Sequence, residues 1–137
     1  KTREVIEIST DKSKLQVEVI HQFLTETYWA KGRTLEEVKI SIEHCFCFGV
    51  FLDKKQIGFA RIVSDYVVFA YIMDVFILPE YRGKGYSKQL MKAINEAPQI
   101  QSCKIWMLKT ADAHNLYKQF GYTELKHPEK VMERLLE

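Results

Sequence analysis

Apolar and polar positions along the chain switch between two periods, and the switches mark its elements. Val5, Ile6 and Ile8 predict a short first strand. Leu15, Val19, Ile20 and Phe23 then recur at helical spacing behind the capping candidates Ser9, Thr10 and Asp11. That helix is expected to run to about Tyr28 or Trp29 and to stop at Lys31-Gly32. Thr34-Leu35-Glu36-Glu37 has the form of a capping box, and Leu35, Val38 and Ile42 carry a second helix to about His44. From Phe46 the period shortens. Residues 46–52 and 57–63 are aromatic and β-branched runs around the turn Asp53-Lys54-Lys55-Gln56, which predicts a hairpin. Residues 67–78 are apolar at nearly every position, as a central strand covered on both faces would be, and Pro79 ends the run. Helical spacing returns after Gly85 with Leu90, Met91 and Ile94. Residues 104–108 read as another strand, and 112–120 as a short helix closed by Gly121. The tail, with Val131, Met132, Leu135 and Leu136, is expected to add a last strand, with a helix as the alternative. The order β-α-α-β-β-β-α-β-α-β predicts a mixed α/β domain of α+β type. Its sheet is mainly antiparallel, with a helical crossover after the long strand and one parallel neighbour.

Composition narrows the function classes. A chain of 137 residues suits one domain spanning 1–137, and 47% apolar with 28% charged residues is ordinary for a globular protein. Such a domain buries roughly two-thirds of its unfolded surface and needs no disulfide or metal to hold it. Twenty basic against 18 acidic residues leave +2, which gives no reason to expect nucleic acid or an anionic membrane as partner. The longest apolar run, residues 66–73, is broken by Asp74 and falls far short of the roughly 18 residues of a membrane span. Lys1-Thr2-Arg3-Glu4 does not open a signal peptide. The odd count of cysteines (Cys45, Cys47, Cys103) suits reduced thiols and a cytoplasmic location. His44, Cys45 and Cys47 have no second Cys/His pair at a zinc spacing, so no metal is expected.

The chemistry concentrates in Pro79-Glu80-Tyr81-Arg82-Gly83-Lys84-Gly85-Tyr86-Ser87, a basic, glycine-bearing turn between a buried strand and a helix. Free amides at a helix start, glycines that let a ligand approach the backbone, and the positive helix end together make an anion cradle suited to a diphosphate. The plainer alternative is a tight turn with incidental lysines. Neither a P-loop nor a dinucleotide fingerprint is present. Arg82-Gly83-Lys84-Gly85-Tyr86-Ser87 resembles the Arg/Gln-x-x-Gly-x-Gly/Ala pyrophosphate loop of GNAT-superfamily N-acetyltransferases. Leu116-Tyr117-Lys118-Gln119-Phe120-Gly121-Tyr122 resembles the second signature of that family. The two stand about 30 residues apart in the family's order. Ser87 replaces a small Gly or Ala, and Thr110 replaces a frequent Asn.

The resemblance implies the acyl-CoA N-acyltransferase fold, with about six to seven strands, and acetyl-CoA as cosubstrate. It maps the pantetheine arm to Val75, Phe76 and Ile77, and the pyrophosphate to Gly83, Lys84, Gly85, Tyr86, Ser87 and Lys88. Arg82 adds charge, and Asn115 and Lys118 join the cofactor contacts. Lys92 continues the stripe of Lys84 and Lys88 as a solvated face. Tyr117 would stand beside the sulfur and give the leaving thiolate a proton; the alternative is a tyrosine packed on the core. Asp74, the only charge between Tyr66 and Leu78, could hold the acceptor amine or take its proton; the alternative is a salt bridge. Tyr28, Trp29 and Tyr71 are acceptor-pocket candidates, and His114 lies one turn before Tyr117. Met73 stands where polyamine-acetylating relatives carry an acidic residue, which argues against a polyamine. The expected activity is acetyl transfer to a primary amine of a small molecule or peptide by direct attack in a ternary complex. A non-catalytic acyl-CoA-binding or sensing module is the alternative. A homodimer is compatible with the resemblance, since members of the family often pair.

Overall fold

Five strands make one sheet in the order β1-β2-β3-β4-β5, described here in a computed structural model that covers residues 5–136. The expectation about a leader at residues 1–4 lies outside the described residues. β1 (Glu7–Ser9), β2 (Phe46–Leu52), β3 (Lys55–Ser64) and β4 (Phe69–Ile77) pair antiparallel, and β5 (Ile105–Leu108) pairs parallel with β4. The crossover between β4 and β5 carries α3 (Tyr86–Asn95), and α4 (His114–Lys118) follows β5.

The two faces of the sheet are covered by different helices. On one face Leu90, Met91 and Ile94 of α3 meet Val50, Ile57, Ile62 and Ile72. On the other, Ile20 and Leu24 of α1 (Val17–Leu24) and Val38 and Ile42 of α2 (Leu35–His44) meet Phe59 and Phe76. This explains why β2 and β3 are buried along nearly their whole length.

Local chemistry sets the helix ends. The capping box at α2 forms as its sequence requires: Thr34 Oγ1 accepts from the Glu37 amide at 3.1 Å, and a Glu37 carboxylate oxygen accepts from the Thr34 amide at 2.8 Å. α1 stops earlier than the apolar spacing predicts. Thr27 donates its hydroxyl to Leu24 O at 2.7 Å and accepts from the Ala30 amide at 3.2 Å. That local alternative to the helical ladder turns residues 25–34 into a connecting loop.

The expected six to seven strands must be corrected to five among the described residues. Residues 131–136 form neither strand nor helix. Their apolar side chains fall in adjacent pairs around Glu133-Arg134, which fits neither period. Met132, Leu135 and Leu136 remain more than three-quarters exposed, so no burial favours a strand there.

Candidate active site

β4 and β5 part company before β4 ends. Their last paired residues are Ile72 and Leu108, yet β4 continues through Met73 to Ile77. One edge of residues 73–77 therefore has no strand partner, while the other stays on β3 through Phe59↔Phe76 and Gly58↔Ile77. The unpaired edge runs along Val75, Phe76 and Ile77; Leu78 N–H bonds Ile57 O on the β3 side, so by strand alternation the groups of Val75 and Ile77 face the free edge, where Ile77 O already accepts from Arg82 Nε.

The glycine turn sits at the end of that edge. Gly83 and Gly85 have φ of +79° and +82°, and a Cβ at either would meet nothing within 4 Å. No protein atom walls in either glycine, and both hold a backbone shape that favours glycine. Gly85 caps α3, and the first helical bond runs from the Gln89 amide to Gly85 O at 3.2 Å. The amides of Tyr86, Ser87 and Lys88 precede it and have no helical acceptor. They border a cleft of about 170 Å³ that also touches Ile77, Arg82 and Leu116. Arg82 is fixed: its Nε donates to Ile77 O at 2.9 Å and its guanidinium lies 6.0 Å from the Phe23 ring centre. Lys84, Lys88 and Lys92 are exposed.

Tyr117 lies on the α3 side of the sheet, half-buried against the core, with its ring edge-on to Tyr122 at 6.1 Å. Burial, and secondarily the charge of Asp112, pushes its phenol above the usual tyrosine range. Tyr122 is raised further by burial and donates to Asn95 Oδ1 at 3.1 Å. Tyr117, His114 and Lys118 border a groove of about 1040 Å³ along β5. His114 and Asn115 are exposed, and Lys118 lies 3.6 Å from Glu124. Thr110 takes a local role, accepting from the Ala113 amide at 3.0 Å where α4 begins.

Asp74 lies on the opposite face. The register of β3 and β4 slips between Phe59 and Arg61, and Asp74 has φ +55°, a left-handed residue inside a strand. This bulge turns Asp74 to the side already occupied by Arg61. Its Oδ2 accepts from Arg33 Nη1 at 2.6 Å and from Arg61 Nε at 2.8 Å, and its Oδ1 accepts from Trp29 Nε1 at 3.1 Å. The carboxylate is 1% exposed. These contacts favour the salt-bridge alternative for Asp74 over a role on the acceptor amine: both oxygens are engaged by protein donors, and the carboxylate is buried. Asp74 instead ties the 25–34 loop to the bulge.

Of the other acceptor candidates, Trp29 is brought to Asp74, and Tyr28 stands edge-on to Trp29 at 5.2 Å, with both rings exposed. Tyr71 stacks on Phe69 at 6.3 Å and is half-buried, its phenol raised by burial. Reading charge by strand missed Arg33 and Arg61. Arg61 is the lone charge in the 57–63 run, as Asp74 is in its own, and two lone opposite charges on neighbouring apolar strands were a signal for the pair.

Comparisons with known proteins agree with this geometry. Residues 15–122 match the model of the Acetyltransferase (GNAT) family. A crystal structure of a GNAT-family protein from Xanthomonas campestris pv. campestris superposes with TM-score 0.94 at 46% identity, covering 96% of this chain and 94% of that one. The uncharacterized N-acetyltransferase ycf52 of Porphyra purpurea is 30% identical over 118 residues, 82% of this chain and 66% of its own length. The thialysine N-epsilon-acetyltransferase of Mus musculus is 32% identical over 63 residues, 43% of this chain and 37% of that protein.

Proposed function

The chain belongs to the GNAT acetyltransferase family, and from that premise we propose that it transfers the acetyl group of acetyl-CoA to a primary amine by direct attack in a ternary complex. One observation carries the reading: the edge of β4 freed beyond Ile72 leads straight to the open amide cradle at residues 83–88. An extended arm ending in a diphosphate fits both features.

Acetyl-CoA supplies the reactive thioester. The chain's residues do the rest. Along the 75–77 edge, main-chain groups of Val75 and the N–H of Ile77 hold the arm as an added strand would, with Phe76 between them. The amides of Tyr86, Ser87 and Lys88 meet the diphosphate, with Arg82, Lys84 and Lys88 supplying charge. An amine of pKa about 10 is only ~0.1% free base at neutral pH, a handicap of roughly 4 kcal/mol that the site must offset or accept. As the new C–N bond forms and the C–S bond breaks, the amine nitrogen gives its proton to solvent water, and the leaving thiolate takes one from a protein donor that solvent then reprotonates. Tyr117 is the donor: its raised phenol keeps the proton through neutral pH until sulfur needs it. Trp29, held by Asp74, and Tyr28, edge-on to Trp29, form the acceptor side. The three free, buried cysteines fit a reducing compartment such as the cytoplasm.

The test is thiol release from acetyl-CoA across a panel of primary amines, with Tyr117→Phe beside the parent. We expect turnover in the parent and a kcat lower by about a hundredfold in the variant, with the KM for acetyl-CoA preserved. Acetyl-CoA binding without turnover of any amine would instead favour the sensing module.

A further inference from the structure

The cluster around Asp74 carries one positive charge more than it needs. Arg61 alone would neutralise the carboxylate, and its nitrogens are all engaged: Nε with Asp74, Nη1 with Cys45 Sγ at 3.4 Å and Nη2 with Met73 Sδ at 3.6 Å. Arg33 is the second cation on the same oxygen. Among the described residues, neither arginine has another carboxylate within salt-bridge distance. Exposure rises outward through the cluster, from 1% for the Asp74 side chain through 10% for Arg61 to 19% for Arg33. Glu37 acts on Arg33 through space from beyond salt-bridge distance, so the outer guanidinium keeps the capacity to meet an anion at close range.

Arg33 is placed to meet one. It donates one N–H to Asp74, and a guanidinium has five in a planar fork that matches carboxylate and phosphoryl oxygens. It sits on the 25–34 loop with Tyr28 and Trp29, whose exposed rings supply apolar surface beside it. Asp74 anchors this loop immediately before Val75, where the free edge of β4 begins to hold the acyl donor. We propose that the amine acceptor bears an anionic group, a carboxylate or phosphoryl group, and that Arg33 binds that group. This rests on the acetyl-transfer reading above and names the acceptor class that the reading leaves open.

The experiment uses pairs of amines that differ by one anionic group: 1,5-diaminopentane against lysine, and ethanolamine against O-phosphoethanolamine. Each is measured for kcat/KM at fixed acetyl-CoA and for equilibrium binding to CoA-loaded protein. The first pair reports a carboxylate and the second a phosphoryl group. The anionic member of at least one pair should be preferred by tenfold or more, the weight of one charge-assisted hydrogen bond. In Arg33→Met that ratio should fall towards one, and Arg33→Lys should recover part of it. Because the readout is a ratio, a general loss of activity or stability in a variant does not imitate the result. Equal treatment of both members in both pairs overturns the inference, as does a preference that survives Arg33→Met. If no amine turns over, the binding ratios decide it in the same way. Failure of CoA itself to bind would overturn the acetyl-transfer reading instead.

Discussion

Replacing Asp74 with asparagine isolates the charge that holds the loop to the bulge. Asparagine has nearly the same shape and is among the residues that best tolerate a left-handed backbone, so φ +55° adds no new strain. What changes is electrostatic. Three donors at 2.6, 2.8 and 3.1 Å lose a carboxylate, and two guanidiniums are left facing a neutral amide. Breaking a buried ion pair by removing one partner costs about 3–5 kcal/mol. Arg33 is partly exposed and can turn to water, which lowers the expected loss to about 3 kcal/mol. That is a large share of the roughly 5–15 kcal/mol typical of a domain. Urea unfolding of the parent and Asp74→Asn should show the midpoint falling at unchanged slope. Hydrogen exchange should quicken first in residues 25–34, before the core strands. A loss below about 1 kcal/mol, with loop exchange unchanged, would refute the argument, because it would mean that the cluster is solvated and tethers nothing.

Three further outcomes follow from the same geometry. Gly85→Ala puts a methyl on a left-handed residue with open space around it, so stability should fall by about 1–2 kcal/mol through backbone strain alone. CoA affinity, measured by calorimetry, should fall tenfold or more, since the methyl occupies the ligand's side of the cradle. Stability should also decline on the alkaline side. Tyr117 and Tyr122 hold their protons above the usual range when folded and release them near pH 10 when unfolded. Cys47 behaves likewise, its thiol pushed up to about 12 by burial. Unfolding in alkali therefore releases protons, and urea midpoints should be flat between about pH 6 and 8 and fall progressively above about pH 9. Finally, native Cys47 should resist alkylation at neutral pH and react only on unfolding, as mass spectrometry can follow.

The elements with local signals were legible in the sequence. The Thr34–Glu37 box and the glycine turn at 83–85 rest on side-chain or backbone chemistry within a few residues and stand where the pattern put them, whereas the hairpin expected to turn over 53–56 tightens to 53–54, because Lys55 and Gln56 already pair with Leu52 and Phe51. Features set by distant partners were not. The spacing of Leu15 through Phe23 could not show that Thr27 would divert the chain after Leu24. Nor could Val131 to Leu136 show that nothing would bury them. The site divides in the same way. The glycine turn proposed to cradle a diphosphate is contiguous, so its residues stand together in the sequence. Asp74 stood out as a lone charge, but its partners Arg33 and Arg61 lie 41 and 13 positions away, and only the sheet and the 25–34 loop bring them together.

The account depends on main-chain amides at 83–88 receiving a diphosphate. Parallel titrations with CoA and with pantetheine, which keeps the thiol arm and lacks the diphosphate, test this most directly. We predict saturable one-to-one binding of CoA and affinity for pantetheine weaker by at least a hundredfold. Equal affinity for the two, or no binding of CoA by both calorimetry and thermal shift, would contradict it.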